Sequence, residues 1–204
     1  MRNLKTLLST LLLTVVIISC SDTTKEEIIQ QPTESKSIKN LHAPGEGRGN
    51  YTGPFTKFSF SKGKQVTDDN WDIAFRATEI IINGGEKGAV LEDINRTYNA
   101  ALALKEGTFT SVKEAPELNE FKQDSKEKLA LLTGSGLGWY TYNPTNHSIL
   151  PTAGKVLVIK THNGHYAKME IVSYYKDLQV TPTTSQYYTF NYVYNPNKGD
   201  KNLQ

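Results

Sequence analysis

One cysteine, Cys20, stands in 204 residues, beside two methionines and four histidines. A lone thiol excludes an intrachain disulfide and any site that needs two thiolates on a metal. Charge excess is missing as well. The whole chain sets 23 Lys and Arg against 21 Asp and Glu, and two of the basic residues, Arg2 and Lys5, fall in the first nineteen positions. Without that stretch the balance is neutral, so no global field gathers nucleic acid, and no cluster of Lys and Arg supplies a local one. The chain has no repeat of fixed period and no low-complexity tract. It offers no Ser-His-Asp or Cys-His set and no His/Glu set at metal-ligand spacing, which makes an enzyme the least expected class. Asp68 and Asp69 form a carboxylate pair, but they precede a strand and turn chemistry accounts for them. An apolar run, Leu7 to Ile18, is too short for a lasting membrane span.

What is present begins with that run. Arg2 and Lys5 ahead of it and Ile17-Ile18-Ser19-Cys20 behind it describe a signal peptide over residues 1–19. Its end resembles the bacterial lipobox, whose cysteine is lipidated and becomes the first residue of the mature chain. Residues 20–40, with "SDTTKEEIIQQPTESKSIKN", are polar and charged, the composition of a flexible tether. Asp22, Glu26 and Glu27 resemble the acidic export signal of surface lipoproteins in Bacteroidota, or form an ordinary acidic linker. The expected location is the outer membrane, lipid-anchored, at the cell surface. Residues 41–196, about 155 in number and enough for one real core, form the domain, and 197–204 a tail.

Strand signals dominate the domain. In "WDIAFRATEIIINGG", Trp71, Ile73 and Phe75 alternate with Asp72, Ala74 and Arg76, then Ile80, Ile81 and Ile82 run together, so the segment reads as one central strand ended at Asn83-Gly84-Gly85. Phe58 and Phe60 alternate with polar residues before a turn at Lys62-Gly63-Lys64. Asn163-Gly164 predicts a two-residue hairpin turn pairing His162 with His165 and Val158 with Met169, which puts Val156, Val158, Met169 and Ile171 on the core face. Tyr188, Phe190, Tyr192 and Tyr194 share one face of a strand ended by Pro196. The segment 86–132 is ambiguous: Leu118, Phe121, Leu129 and Leu132 fit one side of a helix, while Thr108 to Val112 reads as strand. The fold class is mainly β: a single antiparallel domain with few short helices.

"NLHAPGEGRG" (40–49), "DDNWDIAFRATEIIINGG" (68–85), "GSGLGWYTYNPTNHSILPTAGKVLVIKT" (134–161), "YAKMEIVSYYKD" (166–177) and "YYTFNYVYNP" (187–196) together resemble the HmuY-like lipoproteins of Bacteroidota. The resemblance covers nearly all of the domain and keeps its block order. It implies a mostly β domain, outer-membrane lipidation and, as in the founding members, capture of haem for a TonB-dependent outer-membrane transporter. Members that bind haem use two histidines or methionines from two loops. The stretch corresponding to the first, Leu102 to Lys128, contains neither residue type here. The second falls shortly after the Gly-Trp motif, where the chain offers Trp139, Tyr140, Tyr142 and His147.

Haem iron needs donors with a free lone pair inside apolar and aromatic walls. His147, on a Pro-flanked loop near Tyr140, Tyr142 and Trp139, is the best candidate for the haem iron, the two tyrosines being cofactor-binding candidates; a turn histidine bonded to local backbone is the bland alternative. His162 and His165, facing each other across the predicted turn, could clip a transition metal or be plain turn residues. Met169 is expected in the core, Gly134, Gly136 and Gly138 as a turn into Trp139, and His42 has no assigned role. A non-haem surface module, holding a carbohydrate or protein partner on exposed Tyr140, Tyr142 and Trp139, is the competing function.

Overall fold

The computed structural model describes residues 30–204. The signal peptide, Cys20 and the acidic residues Asp22, Glu26 and Glu27 lie outside the described residues. In chain order the strands are β1 (Glu34–His42), β2 (Glu46–Arg48), β3 (Asn50–Thr52), β4 (Thr56–Ser59), β5 (Lys64–Val66), β6 (Ile73–Arg76), β7 (Glu79–Ile82), β8 (Ala101–Glu106), β9 (Tyr140–Asn143), β10 (Ser148–Pro151), β11 (Lys155–Lys160), β12 (Tyr166–Tyr175) and β13 (Ser185–Asn195). They build a five-stranded sheet in the order β1-β13-β12-β11-β8, a four-stranded sheet β5-β4-β6-β7, and two ribbons, β2-β3 and β9-β10, every pairing antiparallel. Helical structure among the described residues is confined to three 3-10 turns.

One core lies between the two sheets. Phe58 meets Phe190 edge-on at 5.2 Å between ring centroids, and Phe75 meets Tyr188 at 4.8 Å. The alternation of Tyr188, Phe190, Tyr192 and Tyr194 delivers all four rings to this core. Each sheet is covered on its other face too. Trp71, Ala74, Ile81 and Leu129 cluster behind the smaller sheet, and Ala115, Val158, Tyr166 and Leu203 behind the larger. Burial on both faces explains the unbroken run Ile80-Ile81-Ile82: Ile80 and Ile82 join the main core and Ile81 the outer cluster.

Several expectations are corrected here. The segment from Trp71 to Gly85 is not one strand but the β6-β7 hairpin, folding back at Ala77-Thr78 with Arg76 opposite Glu79. Ala77 has φ of 44°, and Ala-Thr carries no turn signal of its own. Tertiary contacts hold it instead: Ala77 N donates to Ala43 O, Tyr188 Oη donates to Ala77 O, and Trp139 Nε1 donates to Thr78 O. Trp71 precedes β6 and packs with Ala74, not with Ile73 and Phe75.

The β11-β12 hairpin is displaced by one residue from the predicted register. Leu157 pairs with Met169 and Ile159 with Ala167, because the loop holds three residues, His162-Asn163-Gly164, closed by Thr161 N donating to His165 O at 2.9 Å. Gly164, with φ of 85°, takes the left-handed position of such a loop. A one-residue slip exchanges the faces. Leu157 and Ile159 therefore enter the main core, with Met169 as expected, while Val158 faces the outer cluster.

No long helix spans 116–134; only Leu118–Glu120 forms a 3-10 turn, and the missed strand is β8. Thr108 to Val112 is a turn, not a strand, and its carbonyls at Phe109 and Val112 accept from the Nζ of buried Lys168 at 2.9 and 2.7 Å. The tether gives up its last residues to β1, which pairs with the aromatic strand β13 through Ser35, Ser37 and their neighbours. The supposed tail is also tied in: Ala115 N donates to Lys201 O, Leu203 N donates to Lys113 O, and Leu203 is fully buried.

Candidate functional site

The β9-β10 ribbon carries the site. Asn143 pairs with Ser148 and Tyr140 with Pro151, leaving Pro144 to His147 as the connecting loop. Pro144 fixes the entry, Asn143 Oδ1 accepts from Thr145 N, and Asn146 Oδ1 accepts from Ser148 N, so side chains substitute for the missing ladder bonds. His147 closes the loop with φ of 56°, a left-handed conformation that His tolerates better than most residues. The ribbon is pinned from both sides: Tyr142 N donates to Ser135 Oγ, Gly136 N donates to Tyr140 O, and Ile149 N donates to Tyr175 Oη.

His147, Tyr140 and Tyr142 come together on one cleft of about 680 Å³, completed by Ser135, Ile149 and the β2-β3 ribbon with Arg48 and Tyr51. The imidazole Nδ1 of His147 lies 2.5 Å from Tyr142 Oη. That hydrogen bond fixes the ring and, when Nδ1 is the donor, leaves the Nε2 lone pair as the coordinating one. Tyr142 is largely exposed and Tyr140 nearly buried. A second cleft of about 290 Å³ adjoins the first and adds Tyr174, Tyr175, Val180 and Gln186. Burial raises the Tyr174 hydroxyl far above the ordinary phenol range, so it stays protonated.

Trp139 does not line the cleft. It is buried in the main core against Tyr174 and Tyr188, so it offers no surface to a carbohydrate or protein partner. Nor do His162 and His165 face each other. His162 is turned onto Asp72, its Nδ1 2.6 Å from Asp72 Oδ1 and its backbone N donating to the same oxygen. His165 Nδ1 bonds Tyr194 Oη instead. Each Nδ1 is thus engaged by its own partner, and no group of three or more His, Cys, Asp or Glu among the described residues could hold a metal ion. His42 stacks on Tyr187 at 4.2 Å. Asp68 and Asp69 pair with Lys62 and Lys57 at the surface, as turn residues do.

Arg48 and Tyr51 are the site residues that sequence reasoning missed. Their signal was the run Gly45-Glu46-Gly47-Arg48-Gly49, whose glycines mark a tight ribbon. Gly47, with φ of 115°, leaves room for Asn50 O only because it has no Cβ; an added one would stand 2.4 Å from that oxygen.

The family model for HmuY protein matches residues 52–192. No curated protein matches the chain. Among solved structures, an apo HmuY analogue from Tannerella forsythia is 17% identical with a TM-score of 0.46, over 83% of this chain and 100% of its own. A candidate HmuY-like heme-binding protein from Bacteroides vulgatus is 14% identical with a TM-score of 0.46, over 83% and 97%. A candidate lipoprotein from Bacteroides fragilis is 12% identical with a TM-score of 0.47, over 81% and 92%. With a family match across most of its strands, from the end of β3 into β13, the chain belongs to the HmuY protein family.

Proposed function

We propose that this protein is a lipid-anchored surface protein that binds haem in the His147 cleft and passes it to an outer-membrane uptake system. The observation that carries the proposal is the convergence of His147, Tyr140 and Tyr142 on one cleft, joined by Tyr51 and Ile149. Its volume of about 680 Å³ is within the range of small-molecule sites. Membership of a family whose founding members capture haem supports the same conclusion.

The residues present fit a porphyrin in kind. Tyrosine rings and Ile149 supply flat apolar walls, and His147 supplies the one imidazole of the cleft. Tyr142 Oη, bonded to Nδ1, holds the ring, and with Nδ1–H donating to that hydroxyl the Nε2 lone pair would be the one to ligate the iron. Bound haem would supply the redox and ligand-binding chemistry of its iron; the chain's part is to hold the macrocycle and exclude bulk water from one face. Met169 is enclosed in the core and the other histidines are engaged elsewhere, so His147 would be the one His or Met among the described residues to hold the iron.

The test is a spectral titration of the chain lacking residues 1–20 with haem, repeated on His147→Ala. The parent is expected to give a saturable Soret shift that is absent in His147→Ala. A parent that gives no shift would exclude haem binding and leave a non-haem surface module in its place. An unchanged shift in His147→Ala would remove His147 from the site.

A further inference from the structure

Three arginines lie among the described residues, and two are fixed inside the fold. Arg76 pairs with Glu79 at 2.7 Å and Arg96 with Asp124 at 2.8 Å, both buried. Arg48 differs. It is exposed on the β2-β3 ribbon and has no ion-pair partner among the described residues. It also lines both clefts, which share Gly47, Arg48, Tyr51, His147 and Ile149.

The charge around it is sparse. No Asp, Glu or Lys lines either cleft, although 22% of the chain is charged. The joined clefts therefore hold one permanent formal charge, and it is positive. A cationic ligand would find no counter-charge there, whereas a carboxylate would meet a planar guanidinium whose donors are unused. The tyrosine hydroxyls of Tyr51, Tyr140 and Tyr142 can add neutral hydrogen bonds, but their rings mainly offer flat apolar surface. The Gly47 and Gly49 turn geometry fixes the ribbon so that Arg48 is held at the rim shared by the two clefts.

We propose that Arg48 is the specificity-determining residue of this site, pairing with a carboxylate of a flat, carboxylate-bearing ligand while the tyrosines cover its ring. The inference rests on the cleft being the ligand site of the proposed function. It does not rest on iron, because Arg48 would act on the ligand's rim and His147 on its centre.

The experiment measures binding of metal-free protoporphyrin, a dicarboxylate, and of its dimethyl ester by porphyrin fluorescence, with the parent chain, Arg48→Gln and Arg48→Lys. The parent is expected to prefer the diacid to the diester by about tenfold, the worth of one charge-assisted contact. Arg48→Gln should lose that tenfold for the diacid and leave the diester unchanged, and Arg48→Lys should regain part of it. Equal binding of diacid and ester by the parent, or a diacid affinity untouched in Arg48→Gln, overturns the assignment. Haem in parallel separates the two proposals. A diacid held through Arg48 with no Soret shift on haem removes iron ligation and keeps Arg48. A His147-dependent Soret shift with an indifferent Arg48→Gln removes Arg48 alone, and a parent that binds no porphyrin removes both.

Discussion

His165 and Tyr194 lie with their rings stacked 5.6 Å apart and with Nδ1 and Oη hydrogen-bonded. Burial pushes the Tyr194 hydroxyl up to about 12, so it stays protonated beside the imidazole across the working range of pH. Burial, and after it the charge of Lys198, pushes His165 below its ordinary value of 6.5. The folded chain thus binds this proton less readily than the unfolded chain does. Stability from a lowered base is complete above the unfolded value and is lost as pH falls from there through the folded one. The urea midpoint of the parent is expected to drop as pH falls below about 6.5, and His165→Gln to show a shallower drop over the same window. Identical slopes in the two proteins would show that His165 titrates without linkage to folding. The same scale explains which site residues could be read in advance. His147, Tyr140 and Tyr142 lie within eight positions on one short ribbon, so local spacing alone brings them together. Arg48 and Tyr51 reach the same cleft only because a distant ribbon folds over it, and no local pattern encodes that meeting.

The elements that were legible are those whose pattern answers to one sheet face. β13 shows the period of two plainly, and its bulky rings have a single place to go. The β6-β7 hairpin was hidden because its turn, Ala77-Thr78, is held by Ala43, Trp139 and Tyr188, all remote in sequence. The β11-β12 register was missed for a related reason: with both faces buried, apolar residues occupy both sets of positions, and alternation no longer selects between registers. What covers the second face is irregular chain, including the last residues. Leu203 packs with Ala115, Val158 and Tyr166, so the C-terminal segment acts as part of the core and not as a tail. Leu203→Ala is expected to cost about 2 to 5 kcal/mol in urea unfolding, the range for a fully buried leucine. A loss under about 0.5 kcal/mol would mean the segment is held by its backbone bonds alone.

For the molecule as a whole, the first described strand sets an upper bound on how far the domain can stand from Cys20, the proposed lipid anchor. β1 begins at Glu34 and is an edge strand of the larger sheet, not part of the connecting segment. Between Cys20 and Glu34 the chain can span at most roughly 50 Å, at about 3.5 Å per residue. On the proposed anchoring, a tether of this length would hold the cleft within that distance of the membrane surface, where a transporter could collect its ligand, and it makes the anchor a functional part of the proposal. Two acyl signals on one terminus give stable attachment that salt does not disrupt. The parent is expected in the membrane fraction through high-salt and carbonate washes, carrying labelled fatty acid. Cys20→Ser should incorporate no label and leave that fraction. Because position 20 precedes β1, the variant's purified domain should titrate with haem as the parent's does, so a change in location would be separable from a change in binding. Retention of Cys20→Ser after both washes, or label still incorporated into it, would remove the lipid anchor and leave the cleft's chemistry to be explained without a membrane.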